Sequence, residues 1–272
     1  MDRRTLLAGL SGSGILGTSV AHAAAPKSRI APSTQAKTGM RHRSYNGRVG
    51  YLDPKGKGEI GREWFTVTVQ PSGERTLRAL CEMDDFRLMR DVTLTIDANW
   101  QPIDAYVRIT QEEKLVGSTW FNFGEKSADS HGVTVKEGNV TQHYDLPSRV
   151  TSFGTHPLHN DSWKLSSIRQ AKKGIQAGPS FSTSNLSNGG SGPLLLPSQP
   201  GRMVLVYVGP ERLKTDAGTF ETEYFRMDLP SMNETMKCWA MGEDCVPVRQ
   251  IHEWPNGREK RFELTDLEGD YR

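Results

Sequence analysis

Residues 86–96 read FRLMRDVTLTI. The even positions Phe86, Leu88, Val92, Leu94 and Ile96 are apolar with Arg90 among them, while Arg87, Asp91, Thr93, Thr95 and Asp97 hold the odd positions. Successive side chains of a strand point to opposite faces, so this alternation predicts a half-buried strand. Upstream, Phe65, Val67 and Val69 alternate with Trp64, Thr66 and Thr68, Pro71-Ser72-Gly73 breaks the run, and Leu77, Ala79, Cys81 and Met83 share one face of the next. Downstream, Asn99 and Pro102 mark a turn. Ile103 to Thr110, Gly117 to Glu125, Val133 to Glu137 and Val140 to Leu146 then continue the series. Turns are expected at Gln111-Glu112-Glu113, Ala128-Asp129-Ser130 and Gly138-Asn139. Spacing this regular predicts an antiparallel meander.

The middle of the chain breaks the pattern. Asp161 is a fitting N-cap for a helix carrying Trp163, Leu165 and Ile168 and stopped by Gly174. Residues 178–201 are rich in Gly, Ser, Pro and Asn and carry Leu194-Leu195-Leu196 between prolines. A loop that long with an apolar tip is expected to serve as a lid or a binding loop. Strands resume at Arg202 to Val208 and run through Thr219 to Leu229, Thr235 to Met241, Cys245 to Trp254 and Arg261 to Leu267, with turns at Gly209-Pro210, Asp216 to Gly218, Gly242-Glu243 and Pro255 to Gly257. The expected fold is mainly β with one main helix: a large curved antiparallel sheet, or half-barrel, wrapping that helix, because an open sheet of so many strands curls. It occupies residues 59–272 as a single domain, with a helical and loop insertion at 147–201.

Two further segments precede it. Residues 26–58 are Pro/Gly/Ser-spaced and basic and are expected to be a leader. Residues 1–25 read as an export signal: a charged start, a modestly apolar stretch from Leu6 to Val20, and Ala21-His22-Ala23 as a small-x-small cleavage site. Arg3-Arg4 followed by Thr5-Leu6-Leu7 resembles the twin-arginine signal, which implies the Tat translocase as export partner and the periplasm as destination. Thirty-four Lys and Arg against 32 Asp and Glu leave a formal charge of +2, so no strong field selects nucleic acid or an anionic membrane. At 35% hydrophobic content, no stretch is long and unbroken enough to span a bilayer as a helix.

The order of export signal, meander, Gly218-Thr219-Phe220-Glu221-Thr222, a Trp239 strand running into Asp244-Cys245-Val246-Pro247-Val248 and a final Phe262-Glu263-Leu264 is similar to the periplasmic DUF3108-like proteins. These in turn resemble the LolA/LolB lipoprotein-carrier superfamily. The resemblance implies a curved half-barrel with an apolar concave face closed by helices, a shape that carries lipids.

Arg90 is the sharpest anomaly, a charge on an expected buried face that needs a carboxylate partner or an anionic ligand. Asp104, Tyr106 and Arg108 share the opposite face of their strand from Ile103, Ala105, Val107 and Ile109, and either line a polar cavity or face water. His156, His159 and Asp161, with Tyr144 beside His143, collect imidazole, carboxylate and phenol around the start of the helix. That kit suits acid–base chemistry, a metal, or a hydrogen-bonded loop. No HExxH or paired-cysteine spacing supports a metal, no GxSxG elbow a serine nucleophile, and no P-loop a nucleotide, so no cofactor is implied. Trp120, Trp163, Tyr224 and Trp239 either line an aromatic pocket or form core. With a two-residue turn at Gly242-Glu243, Cys238 pairs with Pro247 and Cys245 with Ala240, which leaves the two sulfurs diagonal and beyond bridging reach unless a bulge shifts the register.

The leading expectation is an exported protein binding an apolar or amphipathic small molecule (lipid, terpenoid or aromatic) between sheet and helix. Arg90 or the His156 region would fix its polar end, and Pro193 to Pro197, with Leu195, would form the lid. A lyase, isomerase or hydratase using His156 or His159 to move a proton, oriented by Asp161 or Tyr144, is the alternative. An envelope assembly protein is the third.

Overall fold

The computed structural model describes residues 41–172, 178–184, 193–198, 203–230 and 233–272. The export signal and the first half of the expected leader lie outside these residues, as does the stretch 185–192 of the long loop.

Among these residues thirteen strands form one antiparallel sheet. In chain order its first half is β1 (Arg43–Leu52), β2 (Glu59–Val69), β3 (Arg75–Met83), β4 (Leu88–Ile96), β5 (Pro102–Gln111), β6 (Lys114–Phe123), β7 (Ser127–Thr134) and β8 (Gly138–Asp145). An insertion follows, made of β9 (Ser152–Gly154), α1 (Leu158–Trp163), α2 (Ser166–Lys172), β10 (Ser180–Thr183) and β11 (Leu195–Pro197). The sheet resumes with β12 (Val204–Thr215), β13 (Gly218–Leu229), β14 (Glu234–Met241), β15 (Val246–Glu253) and β16 (Glu259–Gly269). Sequential strands pair throughout, and β16 returns to pair with β1, so the two halves of the meander join and the edges are β12 and β8.

Alternation in the sequence translates into alternation in burial. Phe65, Val67, Val69, Leu77, Ala79, Leu88, Val92, Leu94, Val107 and Ile109 line the concave face with little or no exposure, and the insertion packs on that face through Leu158, Trp163 and Leu165. The expectation of a mainly β half-barrel around helical structure is met.

Several local expectations change. The sheet begins well before residue 59: the second half of the expected leader is β1, bonded on both sides. Its inward positions are Tyr45, Gly47, Val49 and Tyr51, and glycine in that series hides the alternation. Gly47 is required, since a Cβ there would lie 2.5 Å from Phe65 Cζ and 2.6 Å from the Asp266 carbonyl oxygen. The single helix from Asp161 is two short ones. The first begins at Leu158 after Pro157, and Asp161 instead takes the Lys164 ammonium at 2.6 Å. The polar Ala128-Asp129-Ser130 lies within β7, and Gly209-Pro210 continues β12 just after a bulge between Tyr207 and Gly209, in an edge strand that tolerates proline. The described parts of the long loop are ordered: β10 pairs in parallel with β9 and antiparallel with β11. The β14–β15 turn holds four residues rather than two, Cys238 faces Gln250, and all three cysteines are free thiols.

Candidate functional site

The register carries one row of concave positions across five strands: Val49, Glu63, Cys81, Arg90 and Ile109. Glu63 and Cys81 are fully buried and Arg90 is 3% exposed. Three polar groups side by side on an otherwise apolar wall need partners.

Glu63 finds its partners in the insertion. Its Oε2 accepts the Leu158 N–H at 2.6 Å and its Oε1 the His159 N–H at 3.1 Å. Proline at the N-cap of α1 offers no side-chain acceptor, so a carboxylate from β2 satisfies the orphan donors of the first turn instead. The Cys81 thiol donates to Oε2 at 3.8 Å. Burial pushes the Glu63 carboxyl up to about 7, although the two backbone N–H groups pull the other way; the nearby Asp161 charge adds to the rise. Burial likewise pushes the Cys81 thiol far above its ordinary value.

Two more ties hold α1 to the sheet. Gln250 Nε2 on β15 donates to the Leu158 carbonyl at 3.0 Å, and Ser162 Oγ bridges to the Cys245 carbonyl at 2.6 Å. Between them, Val49, Leu158, Val248, Gln250 and Phe262 meet without room for a water molecule.

The two histidines have different partners. His159 is fully buried, its ring 4.6 Å from that of Phe65 and 5.3 Å from that of Trp163, with Nε2 at 3.2 Å from the Tyr45 hydroxyl. Burial lowers it to about 3, so it stays neutral. His156 sits at φ 76°, an uncommon backbone for a non-glycine residue, and its Nε2–H donates to the Thr183 carbonyl at 3.0 Å. Burial first, then the Arg90 charge, lowers His156 to about 3. Burial pushes the Asp161 carboxyl up, but Lys164 beside it outweighs this and holds it below the ordinary range. Tyr144 lies elsewhere, its ring 5.3 Å from Phe181 and its hydroxyl 3.4 Å from the Leu195 carbonyl. His156 and Asp161 feel each other's charge, Tyr144 lies apart from them, and imidazoles held near 3 are neutral rather than cationic at neutral pH.

The remaining sequence-derived residues divide between the two faces. Trp163 is buried on α1, edge-on to Trp100. Leu195 is fully buried in β11, its backbone bonded through N–H and carbonyl to the Gln142 side chain of β8. Tyr106 and Trp120 face each other across β5 and β6 on the outer, convex face, where Trp120 is 49% exposed, and Arg108 lies exposed on that same face. Tyr106 lines a shallow outer groove of about 520 Å³ with Trp64 and Arg78. Tyr224 stacks on Trp239 at 4.6 Å, and Trp239 Nε1 donates to Glu211 at 2.8 Å, on the face opposite Cys238. These five are not part of the concave wall. Among the described residues no group of three His, Cys, Asp or Glu side chains gathers to hold a metal. No helix among them is long and apolar enough to cross a membrane.

Glu63 is the buried charged residue of this wall that the pattern-based reading passes over. Its signal was present, since it extends the inward series Phe65, Val67, Val69 by one step and is a charge where the alternation calls for an apolar group.

No family model matches the chain and no curated protein is similar to it. Among solved structures, a β-barrel-like protein of domain of unknown function DUF1849 from Brucella abortus is similar over 85% of this chain and 98% of its own, at 11% identity and a TM-score of 0.49. A Parabacteroides distasonis chain named as a lipoprotein is similar over 84% of this chain and 96% of its own, at 9% identity and a TM-score of 0.31. Identities this low concern the chain path alone.

Proposed function

We propose that this is an exported binding protein that takes an apolar or amphipathic small molecule between its curved sheet and the insertion, as the resemblance to DUF3108-like and LolA-type proteins implies. One observation carries the reading. The concave wall is apolar over many strands, yet it is covered by two short helices and three short strands, whose polar ties to it centre on Glu63, Gln250, Gln142 and the Cys245 carbonyl. A cover so short contributes little stability of its own, because isolated helices of six or seven residues do not hold in water. Such segments are drawn from the low-stability end of a fold, which suits a part that yields to a ligand. Because α1 fills its seat, uptake requires the insertion to move. Residues 1–25 support export to the periplasm.

Native mass spectrometry of the protein purified from its own cell envelope, followed by solvent extraction, tests this reading. A stoichiometric apolar or amphipathic molecule is expected. A clean ligand-free mass from the native envelope overturns it.

A further inference from the structure

Four carboxylate or guanidinium side chains are buried among the described residues: Glu63, Arg90, Glu234 and Asp244. Three are compensated. Glu63 takes two backbone N–H groups, Glu234 lies 2.8 Å from the His252 ring, and Asp244 receives the Arg43 guanidinium through both its oxygens as well as the Arg272 N–H. Arg90 alone has no ion pair or hydrogen bond among the described residues, and its Nε is fully enclosed without an acceptor. A guanidinium is always charged, and enclosing it without a counter-charge opposes folding, so its retention calls for a partner that the described residues do not supply.

The surroundings define that partner. Cys81 and Ile109 flank Arg90 on the neighbouring strands, and Leu88 and Val92 flank it along its own. The charge is felt by the His156 imidazole, the Tyr51 phenol and the Cys81 thiol, all neutral groups held by burial in their uncharged forms. Two places along the row stands Glu63, which resists a second negative charge. A planar, singly charged anion matches the guanidinium fork, and the aliphatic wall around it matches a hydrocarbon body.

We propose that Arg90 is the anchor for the carboxylate head of an amphipathic ligand, which makes the ligand class a long-chain monocarboxylate. This deepens the reading of the same pocket and rests on it.

The test is binding of dodecanoate and dodecanol to the full chain and to Arg90→Met, an uncharged variant of similar length, by calorimetry and by the ligand-induced rise in Tm. The native chain is expected to bind dodecanoate at least tenfold more tightly than dodecanol. In Arg90→Met that preference falls to near unity while dodecanol binds as before, and the ligand-free Tm of the variant equals or exceeds that of the native chain. Arg90→Lys keeps the charge but not the fork and is expected to retain only part of the preference; it serves if the methionine variant fails to fold. Equal preference for dodecanoate in native and variant chains overturns the anchor while leaving the pocket. Binding of neither compound to the native chain overturns both.

Discussion

At the scale of single residues, the concave wall has an unusual titration pattern with a defined consequence. His156 and His159 are held at about 3 in the folded chain against an ordinary 6.5, and Glu63 is raised to about 7 from 4.5. Between pH 6.5 and 4.5 the unfolded chain takes up a proton on each histidine that the folded chain refuses. Over the same interval the folded chain binds one on Glu63 that the unfolded chain does not. The unfolded state therefore gains one proton net, and stability falls on acidification by about 1.4 kcal/mol per pH unit. Glu63→Gln removes the opposing group, so its stability should fall about twice as steeply over this interval, at roughly 2.7 kcal/mol per unit. Urea unfolding at pH 6.5, 5.5 and 4.5 measures both slopes, and a native stability that rises as pH falls would rule out neutral buried histidines. Arg90 was legible from alternation alone because its anomaly lies within one strand. Glu63 needed the fold, since its partners Leu158 and His159 stand 95 and 96 residues away in the chain.

Elements were legible where the apolar period was unbroken and illegible where small residues interrupted it. β4 and β5 match their sequence pattern almost to the residue. β1 does not show in the pattern, because Gly47 and Gly50 stand where a strand usually displays side chains and Arg43 and Arg48 give it a leader's charge. Its glycines differ in kind, and this separates two substitutions. Gly47→Ala places a Cβ against the Phe65 ring and the fixed Asp266 carbonyl, so a loss of about 1–3 kcal/mol is expected. Gly50→Ala meets only the end of the Glu59 side chain at 3.1 Å and Thr265 Cγ2 at 3.3 Å, so a much smaller loss is expected. Denaturant midpoints of the two variants provide the comparison, and equal losses would contradict this account of β1. The insertion strands β9 to β11 were hidden for a different reason: each is three or four residues long, too short to display a period.

Across the whole molecule, a long meander joined through β1 and β16 makes a continuous frame, and the insertion between β8 and β12 packs on it as a cover of short elements. The half-barrel and its wrapped helical segment could be read from strand count and spacing. Which aromatic residues face inward could not be read, because alternation separates two faces without saying which is concave: Tyr106 and Trp120 lie on the outer face, and Tyr224 stacks on the buried Trp239 on the face opposite Cys238. Native ligand, Arg90 preference, pH slope and glycine contrast each touch one part of this arrangement. Hydrogen exchange of the native chain with and without saturating dodecanoate touches the arrangement itself. The Leu158 and His159 amides, protected by Glu63 in the closed state, are expected to exchange at least tenfold faster when the ligand is bound, while amides of β2 to β5 keep their protection. Full protection of α1 in the ligand-bound protein would contradict the claim that the insertion is the cover that yields to a ligand.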